Sequence, residues 1–167
     1  PIQEQLPQVT FSKIQDRFTV ALDTFIELKR EAVFLTRKAN YVPIEGQVFQ
    51  TTIDLPGNEE ILTVTCDSHP DFDWTEEDGS IILTWSEGLT NANPAMVTLT
   101  TRRDPDGWFQ LQQDAIDLDF ASIEIESAET ISGYLAVAFD TAFQIRTGET
   151  TGLESRDGRK TPIKGNL

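Results

Sequence analysis

Residues 11–38, FSKIQDRFTVALDTFIELKREAVFLTRK, hold the strongest periodic signal in the chain. Phe11, Ile14, Phe18, Ala21, Phe25, Leu28, Ala32 and Leu35 recur at alternating spacings of three and four. That spacing sets all eight on one stripe of an α-helix. Ser12, with Gln15 three residues on, fits a capping box, and neither Pro nor Gly interrupts the run. The pattern predicts a helix over about 11–38. Its seven-residue repeat suits a coiled coil, but Val20, Leu22, Ile26, Val33 and Phe34 widen the apolar face beyond a narrow seam. We therefore expect the helix to lie across a sheet. Val20, Ile26, Val33 and Phe34 would then form an outer helix face for contact with another subunit.

Beyond Tyr41-Val42-Pro43 the period falls to two. Segments 47–54 and 60–66 flank the turn Leu55-Pro56-Gly57-Asn58 and read as a hairpin. Segments 80–86 and 95–103 flank a loop, and Asp104-Pro105-Asp106-Gly107 is a turn leading to a strand over 108–112. Segment 116–126 alternates, then slips by one near Ala121-Ser122, as a β-bulge does. Segments 131–139 and 142–146 complete about eight strands. The predicted fold class is α+β: a long N-terminal amphipathic helix packed on a mainly antiparallel β-sandwich or partly closed barrel. In domain terms, 1–9 is an extended arm and 10–147 one globular domain, its β part over about 47–147. Residues 148–167 form a polar C-terminal arm.

Thirteen basic groups against 28 acidic ones give a net charge of −15. Such a surface repels phosphate backbones and anionic lipid, which argues against direct nucleic-acid binding. Cys66 stands alone, so no internal disulfide forms, and His69 is the only histidine, a poor basis for a zinc site. No stretch approaches the roughly 20 apolar residues of a membrane-spanning helix. Pro1 fits either an end left by loss of an initiator Met or the edge of a processed or truncated chain; on the first reading, and without a signal-peptide pattern, we expect cytoplasmic synthesis and lean toward a virion as the destination.

The densest chemical feature is the connection over 67–79, which packs six carboxylates into thirteen residues. Asp67, Asp71, Asp73, Glu76 and Asp78 are its candidate oxygen ligands for calcium, a hard cation. The Asp71-x-Asp73 start resembles an EF-hand loop, but Gly is absent from the sixth position and Glu from the twelfth. Asp104, Asp106, Asp114, Asp117 and Asp119 make a second acidic region that reads as the wet face of a strand. Trp74, Trp85 and Trp108 are candidate glycan-stacking residues, with core packing as the competing fate. No nucleophile elbow, Walker motif or dinucleotide glycine pattern occurs, and no catalytic residue is assigned.

A long helix ending in Leu28-Lys29-Arg30-Glu31-Ala32-Val33, followed by a β domain, resembles the soluble part of a pseudopilin. The hydrophobic anchor segment of such proteins is absent from this chain. The resemblance implies a secretion or pilus assembly role and transfers no individual residue. The function expected first is a non-catalytic structural or assembly subunit of a virion, tail or neck complex, or filament. It would self-associate or join other subunits, and no cofactor is assigned. A calcium- or glycan-binding β module is the alternative from a different class, and an enzyme using acidic residues in a cleft is the third.

Overall fold

The computed structural model describes residues 17–105 and 123–139, and it replaces the expected helix with two long strands. These are β1 (Arg17–Leu28) and β2 (Val33–Glu45), antiparallel partners from Leu28↔Val33 outward. The α+β expectation is therefore corrected: the described residues form two sheets and contain no helix. The physical reason lies in the same residues. Phe18, Val20, Ile26 and Leu28 are buried on one face of β1, and Val33, Leu35, Ala39 and Tyr41 on the matching face of β2. Alternation thus serves this stretch as well as the spacing of three and four does, and its Thr, Val, Ile, Phe and Tyr content suits a pleated surface. Residues 29–32 close the hairpin, with the Lys29 N–H donating to the Ala32 carbonyl at 3.0 Å.

Five further strands follow in the first described segment: β3 (Val48–Asp54), β4 (Glu60–Cys66), β5 (Phe72–Glu77), β6 (Ser80–Leu89) and β7 (Ala95–Arg103). Three short ones come from the second: β8 (Glu124–Ile125), β9 (Ala128–Ser132) and β10 (Leu135–Phe139). One sheet, sheet A, runs β10-β1-β2-β7-β4, with β9 also on β1; sheet B runs β5-β6-β3-β8. The expected hairpin over 47–66 is corrected too. Its strands lie in different sheets, β3 on β6 and β4 on β7, so residues 55–59 cross between layers. All pairings are antiparallel except those of β1 with β9 and β10. The arms at 1–9 and 148–167 lie outside the described residues, as do all of 108–122 and the strand expected at 142–146.

The main core fills the space between the sheets. Phe18, Val20, Tyr41, Val97 and Leu99 from sheet A meet Val48, Ile53, Ile81, Leu83 and Trp85 from sheet B. Tyr41 and Trp85 bridge the layers with ring centroids 5.6 Å apart, and Phe18 packs on Tyr41 at 5.9 Å. Each fully buried large side chain of this kind contributes about 1.5–3 kcal/mol. A second cluster, Ile26, Leu28, Val33 and Leu35, occupies the hairpin end of β1 and β2.

Between the two clusters lies a buried ion pair. Arg37 points inward from β2, and its guanidinium donates to both carboxylate oxygens of Glu59, at 2.6 and 2.8 Å. It also donates to the Thr101 hydroxyl of β7 at 3.1 Å, which in turn donates to Glu59 at 2.6 Å. The two charged side chains are 4% and 2% exposed, so their charges depend on each other rather than on water. The pair pins the β3–β4 crossover to the middle of sheet A.

Two predictions follow from this interior. Glu59→Ala or Arg37→Ala, by stranding the other charge, should cost about 3–5 kcal/mol in urea unfolding, while Arg37→Met with Glu59→Leu and Thr101→Val should recover most of it. A triple variant no more stable than the single ones would contradict this. The Tyr41 hydroxyl is buried without a hydrogen-bond partner among the described residues, and burial pushes its ionisation above the ordinary tyrosine range. Tyr41→Phe should therefore leave the unfolding midpoint unchanged or raise it, by about 1–2 kcal/mol at most; a marked loss would reveal a partner for that hydroxyl.

Candidate functional site

The acidic connection is itself partly a strand. Asp78 and Gly79 both take positive φ, at 50° and 83°, and form the two-residue turn between β5 and β6. Asp73 and Glu76 therefore sit on β5, while Asp67 lies in the preceding turn. Asp71 is half-buried and accepts the Glu87 N–H at 2.7 Å, which fastens the connection to β6. Asp73 accepts the Trp74 N–H at 2.8 Å. The carboxylates spread along a strand and its ends, and the described residues contain no group of three or more acidic, His or Cys side chains placed to hold a metal ion. His69 is buried and bonds through Nε2 to the Pro94 carbonyl at 3.2 Å, while Nδ1 lies 3.7 Å from Asp71. It clamps the β4–β5 turn against the connection that leads into β7.

The tryptophans do not form a shared face. Trp85 is fully buried against Tyr41 and Phe72, so it offers no surface to a sugar. Trp74 is half-buried and packs on the same core, and Trp108 lies outside the described residues, as do Asp114, Asp117 and Asp119. The outer helix face is corrected along with the helix. Val20, Ile26 and Val33 are core residues at 1%, 0% and 0% exposure. Phe34 faces the other way, half-buried, with the Lys29 ammonium 4.8 Å above its ring.

The surface divides instead by charge. Between Lys38 and Arg102 the chain has eleven carboxylates and no Lys or Arg. All of β3, β5 and β6 falls in that tract, so sheet B presents exposed Asp54, Asp73, Glu76, Glu77 and Glu124 without a basic side chain on any of its strands. The opposite character appears at the β9–β10 edge of sheet A. Ile131, Tyr134, Leu135, Val137 and Phe139 are 39–57% exposed there, within residues 131–139, which carry no charge. Register explains the geometry. Ile131 lies beside Val20, and Leu135, Val137 and Phe139 lie beside Thr24, Ile26 and Leu28. Paired residues share a sheet face, so four of these five apolar side chains point to the inner side yet remain open.

Gly133 makes this edge. It lies so close to β1 that a Cβ there would collide with the Leu22 carbonyl oxygen. The Thr24 N–H donates to the Tyr134 carbonyl at 2.7 Å, and the Tyr134 N–H donates to Asp23 Oδ1 at 3.2 Å. The strand over 131–139 was legible in the sequence; its break at Gly133 and its edge position were not. Residues 131–139 carry no charge, but neither do residues 88–101, so absence of charge alone does not single out this edge.

Neither a family model nor a curated protein sequence matches the chain. Several solved structures overlap it. An M1 zinc metallopeptidase from Deinococcus radiodurans is 13% identical over 53% of this chain and 20% of its own, with a TM-score of 0.44. The chitin-binding domain of a chitinase from Pyrococcus furiosus is 11% identical over 66% of this chain and 97% of its own, with a TM-score of 0.38. A non-cellulosomal cohesin from Archaeoglobus fulgidus is 14% identical over 72% and 91%, with a TM-score of 0.39. The chain spans about a fifth of the length of the metallopeptidases it overlaps. These are partial likenesses of strand arrangement and assign this chain no activity.

The edge has its own test. Gly133→Ala should force β9 and β10 off β1 and cost about 1–3 kcal/mol, as overpacking does. Faster amide exchange at 24–28 and 135–139, with β5 and β6 unchanged, would accompany it. An unchanged unfolding midpoint would mean that the close approach to Leu22 is not a constraint.

Proposed function

We propose that this chain is a non-catalytic β-sandwich interaction module, a structural or assembly subunit that meets another protein through the β9–β10 edge. The observation that supports this reading is the exposed apolar run on that edge. Edge strands of soluble proteins are commonly blunted by Lys, Pro or a bulge, because unpaired backbone and apolar side chains recruit other strands. Residues 131–139 carry neither Lys nor Pro. Apolar side chains held half-open at a sheet edge suit strand addition, in which main-chain hydrogen bonds supply affinity and side chains supply register. The acidic face of sheet B contributes solubility and keeps other molecules from packing there without basic groups.

A photo-cross-linking residue placed at Val137, and in parallel at Thr75 on sheet B, tests the reading in the cell that makes the protein. Protein adducts should form from position 137 and not from 75. Adducts from 75 alone would move the working surface to sheet B and overturn the proposal.

A further inference from the structure

We infer that residues 128–139 form a detachable strap: β9 and β10 leave β1 together, about a hinge at Ser127, while the rest of the sandwich stays folded. This is a property of the chain itself and holds whether or not a partner meets the edge. Burial carries it. No residue from Ala128 to Phe139 is buried, whereas β1 buries Phe18, Val20, Ile26 and Leu28, and β2 buries alternate residues from Val33 to Pro43. Ala128 is the member of this stretch that packs against the main core. Lifting the strap therefore returns little of its own apolar surface to water. Its main-chain hydrogen bonds are exchanged for bonds to water, at modest net cost, while the released residues regain backbone freedom. Segments with few buried contacts open locally, well below the free energy of global unfolding.

The attachments are correspondingly light. Among the described strands, β9 and β10 pair with β1 alone, and in parallel, the weaker ladder per residue. That ladder is interrupted twice, by the register shift between Phe18 and Thr19 and by the break at Gly133-Tyr134. Arg17 and Glu129 form an ion pair at the exposed start of β9, where water screens the attraction. The chain just before is held firmly. Ile123 and Ile125 are buried, the Thr51 hydroxyl donates to the Glu126 carbonyl at 3.0 Å, and the Glu126 N–H donates to the Thr52 carbonyl at 2.9 Å. Between the held and the loose residues stands Ser127, a non-glycine residue at a φ of 64°. Hinges are residues at element ends that absorb a backbone change, and a left-handed serine loses its strain when the strap lifts. The chain then has two edge states. With the strap closed β10 is outermost; with it open β1 is outermost, Val20, Ile26 and Leu28 lining its inner side.

Native-state amide exchange of the full chain, read by NMR in rising but sub-denaturing urea, tests this. Amides of 128–139, and that of Thr24, which donates to Tyr134, should exchange about a hundredfold or more faster than the slowest amides of β2 and β7. Their rates should depend only weakly on urea, because little surface is exposed when the strap lifts. A lock supplies the second measurement: Thr24→Cys with Leu135→Cys, which are paired neighbours, in a Cys66→Ser background. Oxidised, it should slow the strap amides to the rates and urea dependence of the core; reduction should restore fast exchange. Strap amides of the unlocked chain that already follow the urea dependence of the slowest core amides would overturn the inference, since the strap would then lift only in global unfolding. Exchange at the rate of an unstructured peptide would overturn it as well, because β1 would have no closed state. Fast strap exchange that persists in the oxidised lock would do the same, since the strands would then fray in place instead of lifting.

Discussion

In β1 and β2, eleven successive residue pairs from Phe18↔Pro43 to Leu28↔Val33 fix a register on which the other contacts of sheet A are built. β7 pairs with the far side of β2, and β9 and β10 pair with the far side of β1. Because side chains alternate across a strand, a slip of one residue here would turn the inward set of one strand, Val20 and Ile26 of β1 or Leu35 and Tyr41 of β2, to solvent together. The buried Arg37 makes such a slip costlier still. Its guanidinium meets Glu59, which sits at the crossover from sheet B, so the ladder and the layer connection are locked to one another. Desolvation of both charges offsets much of the attraction within such a buried pair.

The same register decides where the molecule is open. Ile26 and Leu28 are buried, while their β10 neighbours Val137 and Phe139, on the same face of the sheet, are 39% and 51% exposed. Among the described residues sheet B ends in β8, a strand of two residues that pairs with Ile53 and Asp54. Among the described residues, β10 stands at the end of sheet A and leaves its inner side chains half-open as a ledge. Carboxylates on one layer and an uncharged ledge on the other give the molecule two surfaces of opposed chemistry.

Parts of this were legible in the residues. The strands at β3, β4 and β7 follow from alternation between turn residues, and the run 131–139 was recognisable as strand. Over residues 17–38 the helical reading fails because two periods coincide there. Phe18, Phe25, Leu28 and Leu35 fit a helical stripe, while Phe18, Val20, Ile26 and Leu28 fit a strand face. The inward Thr24 and Arg37 hide the alternation, and the parity changes across residues 29–32. Val20, Ile26 and Val33, which broadened the helical stripe, were the sign of the shorter period. The acids of β5 give it the look of a connection between strands, although Asp78-Gly79 is a strong hairpin signal. Sheet membership was not encoded locally: Pro56-Gly57 serves a crossover between layers as well as a hairpin. The Arg37–Glu59 pair is a tertiary contact that spacing could not announce.

The most direct check of this account is the NMR cross-strand pattern of residues 17–45 in the full chain. Extended secondary shifts are expected, with contacts from Val20 to Tyr41 across the hairpin and from Ile26 to Val137 on the other side of β1. Helical shifts and sequential i to i+3 contacts over 17–38 would contradict it, and would remove both the ladder and the edge that depends on it.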